Sequence, residues 1–122
     1  MKKSINRAKY IYKVCTIKDW LSAKNEGVFN GSNSDLIDGF IHFSSGKQIA
    51  ETLKKHFKDR KNLCLLKVNA SVLDITWEKS RNKEFFPHLY GSFKTNCVIK
   101  VFTLKQPNDI KNLLIDLDWI ER

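Results

Sequence analysis

The sequence contains three histidines, the residues best suited to acid–base chemistry near neutral pH. His42 ends an apolar segment and is followed by Ser44, Ser45 and a predicted helix start. A helix start presents free backbone N–H groups, which suit an anionic group of a ligand. We therefore take His42 as a candidate catalytic residue, and Ser44 and Ser45 as candidate ligand-binding residues. The alternative is a core histidine bonded to a backbone carbonyl, and the sequence leaves both interpretations open.

A second candidate centre is the segment at residues 85–91, which combines three aromatic residues with Pro87, His88 and Gly91. Proline and glycine at this spacing predict an ordered loop rather than a regular element. His88 is a candidate for proton transfer, and the ring of Tyr90 is suited to stacking on a planar ligand. The alternative is a loop held in place by its own aromatic side chains.

Glu78 is a third candidate for catalysis, because it follows Trp77 directly. An apolar ring beside a carboxyl group raises the pKa of that group, which suits a general acid. The role requires the fold to bring Glu78 close to His42. The alternative is a solvated side chain at the end of a strand. His56 lies among lysines on a predicted helix and is better explained as an exposed or packing residue.

Hydrophobic patterning predicts the elements that position these residues. Residues 10–15 are rich in β-branched and aromatic side chains and predict a strand. Thr16 then has the form of an N-cap with Asp19 at the third helical position, and Gly27 is a stop signal. A helix is therefore predicted over residues 17–25, with its inward side chains at Trp20, Leu21 and Ala23.

The middle of the chain alternates turns, strands and one amphipathic helix. Turn-forming residues fill positions 30–35, and residues 39–43 predict the strand that carries His42. Residues 45–48 have the form of a capping box. They predict a helix over residues 46–58, with a buried face made of Ile49, Ala50, Leu53 and Phe57.

The second half of the chain is predicted to be mostly strands. A nearly continuous apolar run at residues 63–68 is typical of a central strand. Further strands are predicted at residues 72–77 and 97–104, and a last short helix begins at Pro107. The fold class that follows is α+β, with a mixed, largely antiparallel sheet and its helices in the first half. We expect a flexible basic tail over residues 1–9 and a single domain over residues 10–122.

Composition excludes several classes of protein. With 42% hydrophobic residues in 122, the chain can bury an ordinary core without disulfide or metal staples. Its longest apolar runs are a few residues long, far below the roughly twenty needed to span a membrane. The basic N-terminus lacks the apolar segment of a signal peptide, and the three cysteines show no metal-binding or disulfide spacing. We therefore expect a cytoplasmic monomer with reduced thiols and no bound metal.

The net charge of +9 raises the question of an anionic partner. A basic face could attract RNA, DNA or a phosphorylated small molecule. The basic residues are 18 lysines and 4 arginines, whereas phosphate-recognition sites favour the bidentate fork of arginine. The charge is therefore a weak indication of nucleic-acid binding.

Residues 12–104 resemble the bacterial family catalogued as domain of unknown function 952. The resemblance rests on Asp38-Gly39-Phe40-Ile41-His42-Phe43-Ser44 and Phe86-Pro87-His88-Leu89-Tyr90-Gly91, together with Ile11-Tyr12-Lys13-Val14, Ala50-Glu51-Thr52-Leu53, His56-Phe57 and Trp77-Glu78. The fold implied by this resemblance is similar to that of ADP-ribosyltransferases. It would put His42 and Ser44 in a nicotinamide-ribose cleft, at the split between two half-sheets.

The same resemblance implies NAD as a candidate cofactor and makes Tyr12 a candidate ligand-binding residue. Tyr12-Lys13-Val14 stands where the first strand of those transferases carries a His-Gly-Thr triplet for NAD. Two functions therefore remain open. One is an enzyme of ADP-ribosyltransferase type acting on NAD or a nucleotide-like substrate. The other is a non-catalytic module that binds a nucleotide-like ligand, RNA or a partner protein.

Overall fold

A computed structural model describes residues 8–80 and 83–121. The first seven residues of the predicted tail therefore lie outside the described residues. The strands are β1 (Tyr10–Thr16), β2 (Val28–Phe29), β3 (Ile41–His42), β4 (Ser44–Ser45), β5 (Leu63–Asn69), β6 (Thr76–Lys79), β7 (Phe85–Leu89), β8 (Phe93–Lys94) and β9 (Val98–Leu104). The helices are α1 (Ile17–Glu26), α2 (Asn33–Asp38), α3 (Ile49–His56), α4 (Pro107–Ile115) and α5 (Asp118–Glu121).

The largest sheet has four strands in the order β4-β1-β5-β9, all antiparallel. The predicted central strand is confirmed: β5 pairs with β1 on one side and β9 on the other, and its residues from Leu63 to Val68 are buried. Alternate side chains of β1 and β5 enter two different cores, because successive side chains of a strand point to opposite faces. Ile11 and Cys15 belong to one core, while Tyr12 and Val14 belong to the other.

Helices cover the two faces of this sheet, and α1 begins and ends where the capping signals predict. Thr16 accepts a hydrogen bond from the backbone N–H of Asp19 at 3.0 Å, and Gly27 ends α1 with a φ of 82°. Trp20 and Ala23 are buried as expected. The inward position predicted for Leu21 is wrong, because its side chain is 56% exposed. Pro107 begins α4 as predicted.

A three-stranded antiparallel sheet in the order β3-β7-β6 carries the second candidate centre. The loop predicted over residues 85–91 is wrong, because Phe85–Leu89 forms the central strand of this sheet. Pro87 is compatible with the strand since its fixed φ lies in the extended region. Its carbonyl still accepts a hydrogen bond from the N–H of Phe43 at 3.0 Å. The turn begins only at Gly91, with a φ of 138°.

The turn predicted at residues 30–35 is also wrong in part, because a helix, α2, begins at Asn33. Ser32 caps it, and the side chain of Asp35 accepts a hydrogen bond from the N–H of Ser32 at 2.8 Å. This is a capping box, the same signal that was recognised at residues 45–48. Ser, Asn and Asp also dominate turns, so the composition hid the helix.

The remaining corrections concern boundaries. The strand predicted at residues 39–43 is shorter, since Gly39 ends α2 with a φ of 89°. The helix predicted over residues 46–58 begins at Ile49, with Ile49 and Leu53 buried and Ala50 and Phe57 half-buried. Three further differences remain: the strand expected at 72–77 is Thr76–Lys79, the strand expected at 97–104 begins at Val98, and the helices are not confined to the first half because α4 and α5 follow β9.

The chain crosses from one sheet to the other at Phe43, which is buried between β3 and β4. β4 is short and pairs only with Ile11 and Tyr12 of β1. Beyond that point, residues 13–16 of β1 pair with no strand on this side in the described part of the chain. The sheets are therefore split along this edge of β1, and the gap leaves room for a cavity.

Two further properties concern the length of the helices and the state of the cysteines. Across the described ranges, every helix is too short or too polar to cross a membrane. Cys15, Cys64 and Cys97 are all free thiols. Burial raises the pKa of Cys15 to about 12, so this thiol stays protonated.

Candidate functional site

Two histidines face each other across neighbouring strands. His42 of β3 is the register partner of His88 of β7, and their ring centroids lie 5.7 Å apart. Each ring is held by an acidic side chain through Nδ1: His42 by Asp35 at 2.6 Å and His88 by Glu78 at 2.7 Å. A carboxylate on Nδ1 fixes the orientation of an imidazole and stabilises its protonated form.

The first pair is part of a buried network centred on Asp35, whose side chain is 1% exposed. Its Oδ1 accepts from Lys13 Nζ at 2.9 Å and from the backbone N–H of His42 at 3.1 Å. Its Oδ2 accepts from the N–H and hydroxyl of Ser32 at 2.8 and 3.0 Å. Burial alone would raise the pKa of Asp35, but the hydrogen bond from His42 and the charge of Lys13 outweigh it and lower that pKa.

Lys13 completes this network from β1. The ammonium lies 2.7 Å from Oδ2 of Asp35, and the side chain is 4% exposed. Burial lowers the pKa of Lys13, whereas the neighbouring carboxylate acts in the opposite direction. The ion pair connects β1, along which the sheets are split, to α2. Through Asp35 it also positions His42.

His42 has no ring nitrogen left over. Its Nε2 lies 2.9 Å from Oδ2 of Asp38, while Nδ1 is bonded to Asp35. Carboxylates only accept hydrogen bonds, so each ring nitrogen of His42 can donate to its carboxylate only when that nitrogen carries a proton. The Asp38 side chain is 50% exposed and can therefore move away without leaving a buried charge.

The second pair is more open. Glu78 accepts from the hydroxyl of Tyr90 at 2.7 Å as well as contacting His88. Within the described part of the chain, no group is bonded to Nε2 of His88, although the ring lines the cavity. With Nδ1 donating to Glu78, this Nε2 carries a lone pair that can accept a proton.

The pKa of Glu78 does not behave as the sequence suggested. The hydrogen bonds from His88 and Tyr90 lower it, and they outweigh the burial that would raise it. The expectation of a raised pKa beside Trp77 is therefore wrong, because the acid meets two donors rather than an apolar ring alone. The lowered pKa favours the ionised form of Glu78, which is hydrogen-bonded to His88.

Phe40 connects the two histidines and Tyr90. Its ring lies 4.1 Å from that of His88 in a stacked arrangement, 4.6 Å from that of His42 and 5.3 Å from that of Tyr90. Such contacts restrict each ring to one orientation. His42, His88 and Tyr90 thus lie on the same side of the three-stranded sheet.

A cavity of about 660 Å³ occupies the split between the sheets. Its floor is the free edge of β1, and one wall is the face of α3 that carries Ile49, Thr52 and His56. A volume of this size is typical of small-molecule sites. The hydroxyls of Ser44 and Thr52 lie 3.0 Å apart at the junction of floor and wall.

The structure brings together most of the residues singled out in the sequence. His42, Ser44, His88 and Tyr12 all line the cavity. Glu78 and Tyr90 stand behind His88 rather than on the cavity surface. Ser45 donates its backbone N–H to Oε1 of Gln48 at 3.0 Å and is also absent from the lining. The cavity also reaches His56, which the sequence did not favour.

Four important side chains were missed: Lys13, Asp35, Asp38 and Phe40. Sequence signals could have found two of these, Lys13 and Asp35. Lys13 shares the strand parity of Ile11 and Cys15, both buried, and the capping-box spacing from Ser32 predicts a fixed carboxylate at Asp35. No cluster of three potential metal ligands occurs among residues 8–80 and 83–121.

Comparisons with known proteins agree with the fold and give no activity. The sequence model of the family described as "Protein of unknown function (DUF952)" matches residues 14–101. An X-ray structure of protein CC0527 from Caulobacter crescentus is 38% identical, with a TM-score of 0.76, and the match covers 88% of this chain and 99% of that chain. A solution NMR structure of CC0527 is 39% identical with a TM-score of 0.74 and the same coverage. No curated protein matches this chain.

Proposed function

The chain belongs to the DUF952 family, and we propose from its cavity that it is an ADP-ribosyltransferase-like enzyme acting on a nucleotide-like substrate. One observation carries this proposal. Two histidines, each fixed by its own carboxylate, are register partners beside one cavity, and one of them keeps an open ring nitrogen. A merely structural histidine has no need of that combination.

His88 is the general base of this proposal. Its Nε2 accepts a proton, and Glu78 on Nδ1 stabilises the imidazolium that forms. Tyr90 keeps the Glu78 carboxylate in place through its hydroxyl. The stacking of Phe40 on the His88 ring prevents the imidazole from turning away.

With NAD as substrate, the step is a glycosyl transfer. A hydroxyl group of water or of an acceptor gives its proton to Nε2 of His88, and its oxygen bonds to the anomeric carbon of the nicotinamide ribose. The bond from that carbon to the nicotinamide nitrogen breaks, and its electron pair stays on the nitrogen. The products are free nicotinamide and an ADP-ribosylated acceptor, or ADP-ribose when the acceptor is water.

His42 orients the substrate in this scheme. Nε2 of His42 faces the half-exposed carboxylate of Asp38 at 2.9 Å, and when it carries a proton it can donate to a substrate instead. A ribose hydroxyl or phosphate oxygen that displaces Asp38 gains a charge-assisted hydrogen bond. The buried Asp35 holds the ring throughout.

The test is a thermal-shift screen with NAD, ADP-ribose and nucleoside phosphates, followed by a nicotinamide-release assay on any ligand that raises the melting temperature. We expect His88→Gln to keep the ligand-induced shift and to lower the release rate by about 10²- to 10⁴-fold, the usual contribution of a general base. Equal release by the wild type and His88→Gln would refute the proposal.

A non-catalytic module is the second candidate, and one observation favours it. His42 is saturated by Asp35 and Asp38, as in a network built only to hold the fold. In that case nucleotide-like ligands raise the melting temperature, but no nicotinamide is released by the wild-type chain. The two candidates therefore differ in turnover and not in binding.

A further inference from the structure

We infer that the substrate of this cavity carries a phosphate or another compact anionic group, bound at the end of the cavity formed by His56, Phe57 and Arg60. The inference rests on the proposed function and adds where the anionic group binds and how the substrate is oriented. The reacting ribose lies at the His42–His88 pair, and the anionic part lies at the opposite end.

The geometry of α3 separates the two ends. Thr52 is tied to Ser44 beside the histidine strand by a 3.0 Å contact between their hydroxyls. His56 follows four residues later, about 6 Å further along the helix axis. Arg60 comes after the helix, where its backbone N–H donates to the backbone carbonyl of Phe57 at 3.0 Å. All four of these side chains line the same cavity.

The guanidinium of Arg60 is positioned by a ring contact, and no hydrogen bond from it is found among the described side chains. Its guanidinium lies 5.2 Å from the ring centroid of Phe57, a cation–π distance. This contact orients the side chain by the face of the ring, so the five N–H donors of the guanidinium remain available. A planar fork presented in this way suits bidentate binding of a phosphate.

The charges that line the cavity are balanced at one end and unbalanced at the other. Lys13 is neutralised by Asp35, and His42 and His88 each have their own carboxylate. The ion pairs found among the described side chains, by contrast, do not involve the guanidinium of Arg60. Among the described residues, Asp19 is the one acidic side chain that lines the cavity. An anionic group therefore gains most at the Arg60 end.

The rival explanation is unspecific attraction to a chain of net charge +9. Lys61 distinguishes the specific site from unspecific attraction, because it follows Arg60 directly, is exposed, and does not line the cavity. At 0.15 M salt, charges more than about 8 Å apart are largely screened. Unspecific attraction would then respond equally to loss of either charge.

The experiment measures binding of ADP and of adenosine by calorimetry at 0.15 M salt to the wild type, Arg60→Ala and Lys61→Ala. We expect Arg60→Ala to weaken ADP binding by about tenfold or more. Lys61→Ala should change ADP binding by less than about twofold. Adenosine, which lacks the diphosphate, should bind both variants and the wild type alike. Arg60 is exposed, so its substitution leaves the fold intact.

Three outcomes would overturn the inference: equal weakening by the two variants, an equal loss of adenosine binding in Arg60→Ala, or no measurable ADP binding to the wild type. The nicotinamide-release assay with His88→Gln keeps this result distinct from the proposed function. If nicotinamide release depends on His88 but not on Arg60, only the inferred anion-binding site is refuted. If ADP binding depends on Arg60 but no nicotinamide is released, the proposed enzyme activity is refuted and the anion-binding site stands.

Discussion

The Asp35–His42 and Glu78–His88 pairs contain the same two chemical groups at nearly the same distance, but they differ in how their remaining atoms are used. Asp35 is 1% exposed and accepts hydrogen bonds from Ser32 and Lys13 as well as His42. The side chain of Glu78 is 37% exposed and contacts only His88 and Tyr90 among the described residues.

This difference indicates a division of work between the pairs. A buried carboxylate with every lone pair occupied fixes three elements of the fold and has nothing left for a ligand. A half-exposed carboxylate with one histidine and one phenol can accommodate a change of charge on its partner, since water reaches it. We propose that the first pair holds the site and that the second reacts.

The largest effect that would test this division is the loss of Asp35. Asp35→Asn leaves the ammonium of Lys13 buried without its counter-ion, which typically costs about 3–5 kcal/mol of the free energy of unfolding. Denaturant melts measure it. The control is Asp38→Asn, which removes a half-exposed carboxylate of the same network and should cost less than about 1 kcal/mol. Similar losses in the two variants would show that the buried network does not hold the fold.

Acid should destabilise the protein through the same buried carboxylate. The pKa of Asp35 is lower in the folded chain than the ordinary value of about 3.9 in an unfolded one. Between those two values the unfolded state binds more protons, so stability rises with pH and falls on acidification. The contribution is complete above about pH 5 and is lost progressively below about pH 4.

The matched comparison for acid stability is the double variant Lys13→Met with Asp35→Asn, which buries no charge. Its melting temperature should fall less between pH 6 and pH 3.5 than that of the wild type. Asp38→Asn should retain the acid sensitivity of the wild type. If the double variant loses as much as the wild type, the acid response comes from other carboxylates.

Loss of Glu78 should affect chemistry more than stability. Glu78→Gln removes the charge that stabilises protonated His88, while the half-exposed position limits the loss of stability to about 1 kcal/mol or less. We expect the nicotinamide-release rate to fall with ligand binding retained. A loss of stability as large as that of Asp35→Asn would make the two pairs equivalent and remove the division proposed above.

The smallest effect concerns the hydroxyl of Tyr90. Its hydrogen bond to the Glu78 carboxylate raises the pKa of this phenol. In Glu78→Gln the pKa of Tyr90 should therefore fall toward the ordinary value of about 10, as followed by the ring resonances in an NMR titration. Glu84→Gln, which removes a nearby acid that bonds to Gln48 instead, should leave the titration unchanged.

The sequence predicted best the elements whose patterns are long. β1, β5 and β9 follow from runs of apolar or β-branched residues, and α1 follows from Thr16 and Gly27. α2 was missed because a pattern of apolar residues cannot be recognised over only six residues, and because its capping residues also form turns. β7 was missed because Pro87 argues against a central strand in any prediction from local signals.

The candidate site could be predicted only as far as its rare residues reached. Histidines stand out in a sequence, so His42 and His88 were found, although nothing local shows that they are register partners. Asp35 and Lys13 were not found, because surface acids and lysines are abundant and burial is a property of the fold. Tertiary packing decided which of the charged residues became part of the site.

The buried Lys13–Asp35 pair also limits the order in which mutations can accumulate at these two positions during evolution. If lysine is replaced first, Asp35 keeps the donors of Ser32 and His42. If aspartate is replaced first, a buried ammonium remains without a counter-ion. A lineage that gives up this pair is therefore expected to change position 13 before position 35, and to pass through an intermediate with aspartate alone.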